Sequence, residues 1–337
     1  MTIAERASAR PLAVSGILKD PILWLLVSIV IVGAATSPHY LSELNIQNLL
    51  RNAALVGLLA TGMSIVLITG RIDLSIAANM VFATIIGVVV TAWIGREFDV
   101  RWIVRGNTFV GSPVVFIAVS IMTGVAIGIV NGIGVAYLKV ASFIMTLVSL
   151  TALRGMGYLA TNGAPFYLKG ETFNWLGDAV LLGVPVSFAL FIILVAVTHF
   201  FLTCTTTGGR LYAIGGNETA TLYSGIKTKR YIVTAFALSG FFATVAGLVF
   251  TARLKSVEAA LAQGYELTAI AIAVIGGVAL GGGTGSLWRV LLAAVTFAAG
   301  LNLLAIWGVP TWYQNLAIGA VLVLAVAMAR FQYKSQH

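Results

Sequence analysis

The sequence predicts an all-α polytopic membrane protein of about ten transmembrane helices, with the N- and C-termini cytoplasmic. Three observations carry this prediction. First, 59% of the 337 residues are hydrophobic and 9% are charged, and the mean hydropathy is +1.01. A soluble domain carries about 25% charged residues, so this chain cannot cover itself with a solvated surface. That excludes a soluble enzyme, a disordered chain and a nucleic-acid binder, despite the net charge of +9. Second, the apolar residues come in runs of roughly 16–24, the length a helix needs to cross a bilayer; a β-barrel would show ~10-residue alternating segments. Third, backbone groups in lipid must be satisfied within the segment, so each run is most simply a helix.

Taken in order, the predicted spans are 21–36, 52–69, 74–94, 113–138, 141–161, 179–202, 231–252, 265–280, 287–304 and 314–330. Residues 1–20 form an N-terminal cytoplasmic tail, 21–330 the transmembrane domain and 331–337 a C-terminal tail. The first run resembles a cleavable signal peptide, with basic residues before it and Gly33-Ala34-Ala35 after. The pre-region is long and nine spans follow, which favours an uncleaved span. Only the turn Tyr137-Leu138-Lys139-Val140 separates the fourth and fifth spans. The eighth is short and ends in glycine, the pattern of a broken or re-entrant helix. Thirty-six glycines fit close helix packing in a bundle. With an even span count both ends share one side. Twelve Lys and Arg then fall on the inner side and eight on the outer, the bias expected of cytoplasmic loops.

Cys204 is the single cysteine, and His39, His199 and His337 are scattered. No disulfide framework and no metal-ligand spacing follows from them. The loops 37–51, 95–112, 162–178 and 253–264 are too short for a soluble domain. The inner segment 203–230 differs. Glycine breaks at 208–209 and 215–216 precede Asn217, a plausible N-cap, and Gly225 is a plausible stop. Between them lies one short helix with Glu218 in its first turn, where the helix dipole favours an acid. Ala220, Leu222, Tyr223 and Ser224 offer it small and apolar surface. Gly215, Gly216 and Gly225 let the backbone turn at either end. Such a helix across the cytoplasmic face is a handle for a partner.

The glycine run at 276–286 lacks the Lys-Ser/Thr ending that would cradle phosphates, so the chain is not expected to hydrolyse ATP. No carboxylate pair sits inside a span, against a proton relay. Gly70-Arg71-Ile72-Asp73-Leu74-Ser75 breaks a long apolar stretch with two opposite charges. It reads either as a turn with a local ion pair or as a broken-helix element lining a pathway. Arg154, late in its span, either snorkels to the interface or faces a vestibule. Asn131 and Thr146 either bond between helices or line a pathway. Trp307, Trp312 and Tyr313 read as an interfacial aromatic belt.

At these motifs the chain resembles the membrane permease subunits of bacterial ABC importers for monosaccharides, the ribose, xylose and arabinose type. The resemblance runs over roughly 40–330. It rests on GRIDLSIAA at 70–78, NGIGVAYLKVASFIMTL at 131–147, GGRLYAIGGNETATLYSGI at 208–226 and YELTAIAIAVIGGVALGGGTGS at 265–286. Arg71, Ala141 and Leu287-Trp288-Arg289 depart from the family pattern. The resemblance implies a ten-helix fold of the second importer type in the bacterial inner membrane. It implies two permease copies, a cytoplasmic ATPase carrying the ATP and Mg, and a periplasmic binding protein that delivers a pentose or similar small sugar. No cofactor is expected on this chain, and lipid is its other partner. In that frame 203–230 becomes the coupling loop to the ATPase. Asp73, Ser75, Asn131, Phe143 and Thr146 become pathway candidates. Arg51, Arg253 and Lys255 become docking candidates for the binding protein, against the simpler reading that they anchor helix ends at the headgroups. Two other classes fit the sequence less well. A secondary carrier or channel is expected to hold mid-membrane ionisable groups, and a membrane enzyme needs clustered polar residues near a headgroup plane; both patterns are sparse here.

Overall fold

The computed structural model describes residues 20–97, 104–105, 108–109, 112–168, 171–320 and 323. The predicted N-terminal tail before residue 20, most of the 95–112 loop, the end of the last predicted span and the C-terminal tail lie outside the described residues.

Among the described residues twelve helices are bounded in chain order: α1 Pro21–Thr36, α2 Glu43–Ile68, α3 Ile76–Glu97, α4 Pro113–Ala136, α5 Ser142–Thr161, α6 Glu171–Asp178, α7 Val186–Cys204, α8 Thr206–Gly216, α9 Glu218–Tyr223, α10 Thr228–Leu254, α11 Tyr265–Ile275 and α12 Leu287–Ile306. Residues 311–320 are helical as well. Among the described residues seven helices are long and apolar enough to span a bilayer, namely α2, α3, α4, α5, α7, α10 and α12; α1 and α11 are apolar but shorter. Local chemistry sets their starts. Pro21 and Pro113 open α1 and α4, where a missing N–H costs nothing, and Asp20, Ser42 and Ser112 cap α1, α2 and α4.

The buried centre is formed by α2, α3 and α10, whose apolar windows are 83%, 67% and 72% buried against 17% for α5. The exposed apolar faces of α4 and α5 are what lipid-facing helices require. Small residues set the closest packing. In α4, Gly124, Gly128 and Gly132 recur every fourth residue and lie on α10. A Cβ on Gly128 would stand 2.2 Å from the Phe236 carbonyl oxygen, and one on Gly240 of α10 would stand 2.1 Å from that of Gly124. Helices associate in lipid through such contacts.

Among the described residues six short strands occupy the connections: β1 Val104–Arg105, β2 Thr108–Phe109, β3 Phe166–Leu168, β4 Val180–Leu181, β5 Val184–Pro185 and β6 Ser256–Val257. Four form a sheet in the order β1-β2-β3-β6, with Phe166 opposite Val257 and Tyr167 opposite Ser256. The sheet ties together three connections that the sequence reads as separate loops. Two- and three-residue strands from distant segments leave no alternation to detect.

The inner segment departs from expectation at one point. The chain does not break at Gly208-Gly209; both lie inside α8, so the segment holds two helices rather than one. Thr205 starts α8 by accepting a hydrogen bond from the Gly208 N–H at 3.1 Å. Gly208 is there for space, because a Cβ would stand 2.1 Å from the Leu202 carbonyl oxygen. The second pair, Gly215-Gly216, does end a helix.

Candidate functional site

Four of the five pathway candidates converge on one buried polar network. Asp73, in the extended lead-in to α3, is 1% exposed. Its Oδ1 accepts from the Ser75 N–H at 3.0 Å and the Ser75 hydroxyl at 2.6 Å. Its Oδ2 accepts from the Ser239 hydroxyl of α10 at 2.7 Å. Ser75 Oγ accepts from Asn131 Nδ2 of α4 at 2.8 Å, and Asn131 Oδ1 accepts from the Ser149 hydroxyl of α5. Thr146 Oγ1 of α5 accepts from the Leu74 N–H at 3.0 Å and donates to the Ser142 carbonyl at 2.8 Å. The carboxylate thus joins the α3 lead-in to α10, and Ser75, Asn131 and the Leu74 N–H extend the network to α4 and α5. Burying it is costly unless its oxygens are hydrogen-bonded, and here both are. The fifth candidate, Phe143, stands apart and is 54% exposed on α5.

The local ion pair considered for Arg71 and Asp73 does not form. Arg71 turns away from Asp73, donating to the Thr69 carbonyl at 2.7 Å and pairing with Glu218 of α9 at 2.7 Å. Asp73 is satisfied by hydroxyls and a backbone N–H, so no cation is needed inside. Arg71 and Glu218 are partly exposed, where an ion pair contributes little. A double-mutant cycle with Arg71→Ala and Glu218→Ala is expected to give a coupling of about 0.5 kcal/mol in thermal denaturation; additive effects would count against a real pairing.

The predicted coupling residues form an exposed platform. Asn217 caps α9 through the Ala220 N–H at 2.9 Å. Gly225, at φ 82°, turns the chain out of it. Thr221 is buried, while Ala220, Leu222, Tyr223 and Ser224 face outward, Tyr223 being 86% exposed. The platform is mounted on glycine backbone. A Cβ on Gly215 would stand 1.8 Å from the Ile68 carbonyl oxygen and 2.4 Å from the Gly283 nitrogen. One on Gly282 would stand 2.6 Å from the Gly70 nitrogen, and one on Gly283 3.0 Å from the Gly216 nitrogen. The Gly283 N–H also donates to the Ile68 carbonyl at 2.9 Å. Three segments far apart in sequence therefore meet backbone to backbone: the end of α2 with its Gly70 turn, the end of α8, and the loop after α11. Tyr212 of α8 fastens the same loop by donating to the Gly285 carbonyl at 2.9 Å. Burial pushes its phenol above the ordinary tyrosine value.

The three docking candidates cluster around Asp178 at the end of α6. Arg51 Nη2 donates to the Asp178 carbonyl at 3.0 Å, Arg253 Nη1 to Asn52 Oδ1 at 2.5 Å, and Lys255 Nζ pairs with Asp178 Oδ2 at 2.9 Å. All three have partners within the chain. Arg154 faces Glu266, at the start of α11, at 3.6 Å.

Sequence reasoning missed Ser149 and Ser239, although each is a hydroxyl in an apolar span, the signal that singled out Asn131 and Thr146. It also missed the three-way glycine contact. Each glycine pair was visible, but nothing in a linear sequence says which pairs meet.

The model of a family described as "Branched-chain amino acid transport system / permease component" matches residues 45–326. The chain is 36% identical over 315 residues to the ribose import permease protein RbsC of Bacillus subtilis (strain 168), covering 92% of each. It is 32% identical to the L-arabinose ABC transporter permease protein AraH of Azospirillum brasilense, over 88% of this chain and 83% of that one. It is 31% identical to the xylose transport system permease protein XylH of Escherichia coli (strain K12), over 87% and 86%. No solved structure matches the chain.

Proposed function

The chain belongs to this family of transport-system permease components and is a multi-pass inner-membrane protein, and from that premise we propose that it forms the translocation pathway of an ABC importer for a monosaccharide, a pentose or related small sugar. The substrate class follows the names of its relatives, which are ribose, arabinose and xylose permeases. In this reading residues 21–330 make ten spans, with 1–20 and 331–337 as cytoplasmic tails. Two copies pack about a shared two-fold axis. A periplasmic binding protein delivers the sugar, and a separate ATPase holds ATP and Mg.

The observation that carries the reading is the platform of α8 and α9. Its outward apolar side chains have no use in a lone chain, and its glycine mount makes it rigid. A groove on the ATPase would receive Ala220, Leu222 and Tyr223 as helix-in-groove contacts do. Push on α9 would pass through Gly215 to Gly70 and on to the Asp73 network. That network, with Ser75, Asn131 and Thr146, is closed in this conformation. It would open toward the sugar in another, offering hydroxyls and amides that bind weakly enough to release. Phe143 would meet the second copy. On the outer side, Arg51, Arg253 and Lys255 would meet the binding protein, trading their present partners for its acids.

The test of coupling is Ala220→Glu. It buries an unpaired charge at the contact and does nothing to the fold, because Ala220 is exposed. Uptake and sugar-stimulated ATP hydrolysis should be lost while the inserted permease is retained at normal level. Normal uptake would sink the coupling role. Topology is tested separately. A reporter after residue 170 should read periplasmic and one after 215 cytoplasmic. The reverse would overturn the orientation. At the outer face, binding-protein affinity should fall as salt rises, since exposed charge pairs are screened; docking that ignores both salt and Lys255→Glu would remove these cations from the interface.

A further inference from the structure

A groove of about 400 Å³ opens between the last turn of α4 and the first turns of α10, lined by Ile133, Tyr137, Arg230 and Val233. Its apolar wall belongs to two spanning helices. Arg230 lines it and the exposed Lys229 stands beside it; the exposed Lys227 and Lys139 lie two residues from Lys229 and Tyr137 in the chain. Lys229 Nζ lies 5.2 Å from the centroid of the Tyr137 ring, so the groove wall and the cationic rim are one surface. Among the described residues none of these four has an acidic partner; the ion pairs formed are Arg71–Glu218, Arg154–Glu266, Lys255–Asp178 and Arg289–Asp20.

We propose that this groove binds one anionic phospholipid of the cytoplasmic leaflet, with an acyl chain along Ile133 and Val233 and the phosphate held by Lys229 and Arg230. The inference rests on the orientation proposed above, which sets the start of α10 at the inner surface. An apolar groove in the wall of spanning helices opens to hydrocarbon, not water, so its occupant carries a hydrocarbon chain. A rim of unpaired cations selects a negative headgroup at the depth where that chain ends. A water-soluble ATPase has the charge but no chain to fill the groove. Tyr137 suits the boundary, with an apolar ring below and a face that attracts the ammonium of Lys229.

The test uses the full-length permease purified in detergent without its ATPase. Its unfolding midpoint is followed as phosphatidylglycerol, phosphatidylcholine with the same chains, or inorganic phosphate is added. Phosphatidylglycerol should raise the midpoint saturably, and the other two should not. Lys229→Gln with Arg230→Gln, both exposed, are each read against their own lipid-free midpoint, because Lys229→Gln also removes the contact with the Tyr137 ring. They should weaken the response roughly fivefold per charge and roughly 25-fold together. Ile133→Trp, which fills the groove from a position 43% exposed, should abolish saturation with the charges intact. An equal response to phosphatidylcholine, stabilisation by phosphate alone, or an undiminished response in both variants would overturn the proposal. The assay needs neither transport nor ATP hydrolysis, so it stands whether or not the sugar assignment does. A reporter after Lys227 that reads periplasmic would overturn the choice of leaflet.

Discussion

Gly215→Val is expected to abolish uptake and to lower the stability of the permease by about 3 kcal/mol or more. The first atom added is enough. A Cβ at this position would stand 1.8 Å from the Ile68 carbonyl oxygen and 2.4 Å from the Gly283 nitrogen. Both are backbone atoms, and they are joined to each other by the Gly283-to-Ile68 hydrogen bond. Neither can rotate aside as a side chain would, so α8 must lift off the end of α2. That movement breaks the joint through which the platform would reach the pathway. The control lies six residues earlier in the same helix. A Cβ on Gly209 meets nothing within 4 Å, and Gly209 is inside α8. Gly209→Ala should therefore be neutral, or stabilising by roughly 0.5–1 kcal/mol through the lower backbone entropy of alanine. Thermal denaturation and sugar uptake on the two variants, in parallel, separate a steric joint from a merely glycine-rich segment. If Gly215→Val behaves like Gly209→Ala, the joint has no role.

The second large effect is expected at Asp73. Asp73→Ala leaves the Ser75 N–H, the Ser75 hydroxyl and the Ser239 hydroxyl without their acceptor in a buried site. Unsatisfied buried donors cost about 1–3 kcal/mol each, but the two hydroxyls can turn to other acceptors, so a loss of about 3 kcal/mol overall is expected. Ser239→Ala removes one donor and leaves the carboxylate two, and should cost about 1 kcal/mol. Asp73→Asn should fall between, because the amide oxygen keeps one acceptor while its NH₂ group faces a hydroxyl. Denaturation of the purified protein should give this order. An Asp73→Ala variant as stable as the parent would mean that the network forms only in this conformation.

The class of the protein was legible in composition. A 9% charged share and apolar runs of span length admit no other solution than helices in lipid, and helix was found within every predicted run. The cap of α9 was read from Asn217, and the same chemistry starts α1 and α4. Asp20-Pro21, Ser112-Pro113 and Asn217-Glu218 satisfy the first N–H groups by themselves, whatever surrounds them. Asp73, Ser75, Asn131 and Thr146 stood out one by one, because each is a polar group in apolar sequence and must find a partner. The four long motifs carried the family.

Pairing was decided by tertiary structure alone. Arg71 had an acid two residues away, yet it bonds Glu218, which lies 147 residues on; the nearer carboxylate is turned inward, where the hydroxyls of Ser75, just before α3, and Ser239 of α10 already hold it. Gly208-Gly209 had the composition of a break, yet the helix runs through it, because Gly208 was selected for the space against Leu202 and not for its backbone freedom. Gly215 did end a helix, but its decisive property is the absent Cβ that lets three chain segments touch. Local chemistry determines where helices begin and which residues need partners. Which partner is reached depends on how distant segments stack in three dimensions, and close approach of backbones leaves in the sequence nothing but a glycine.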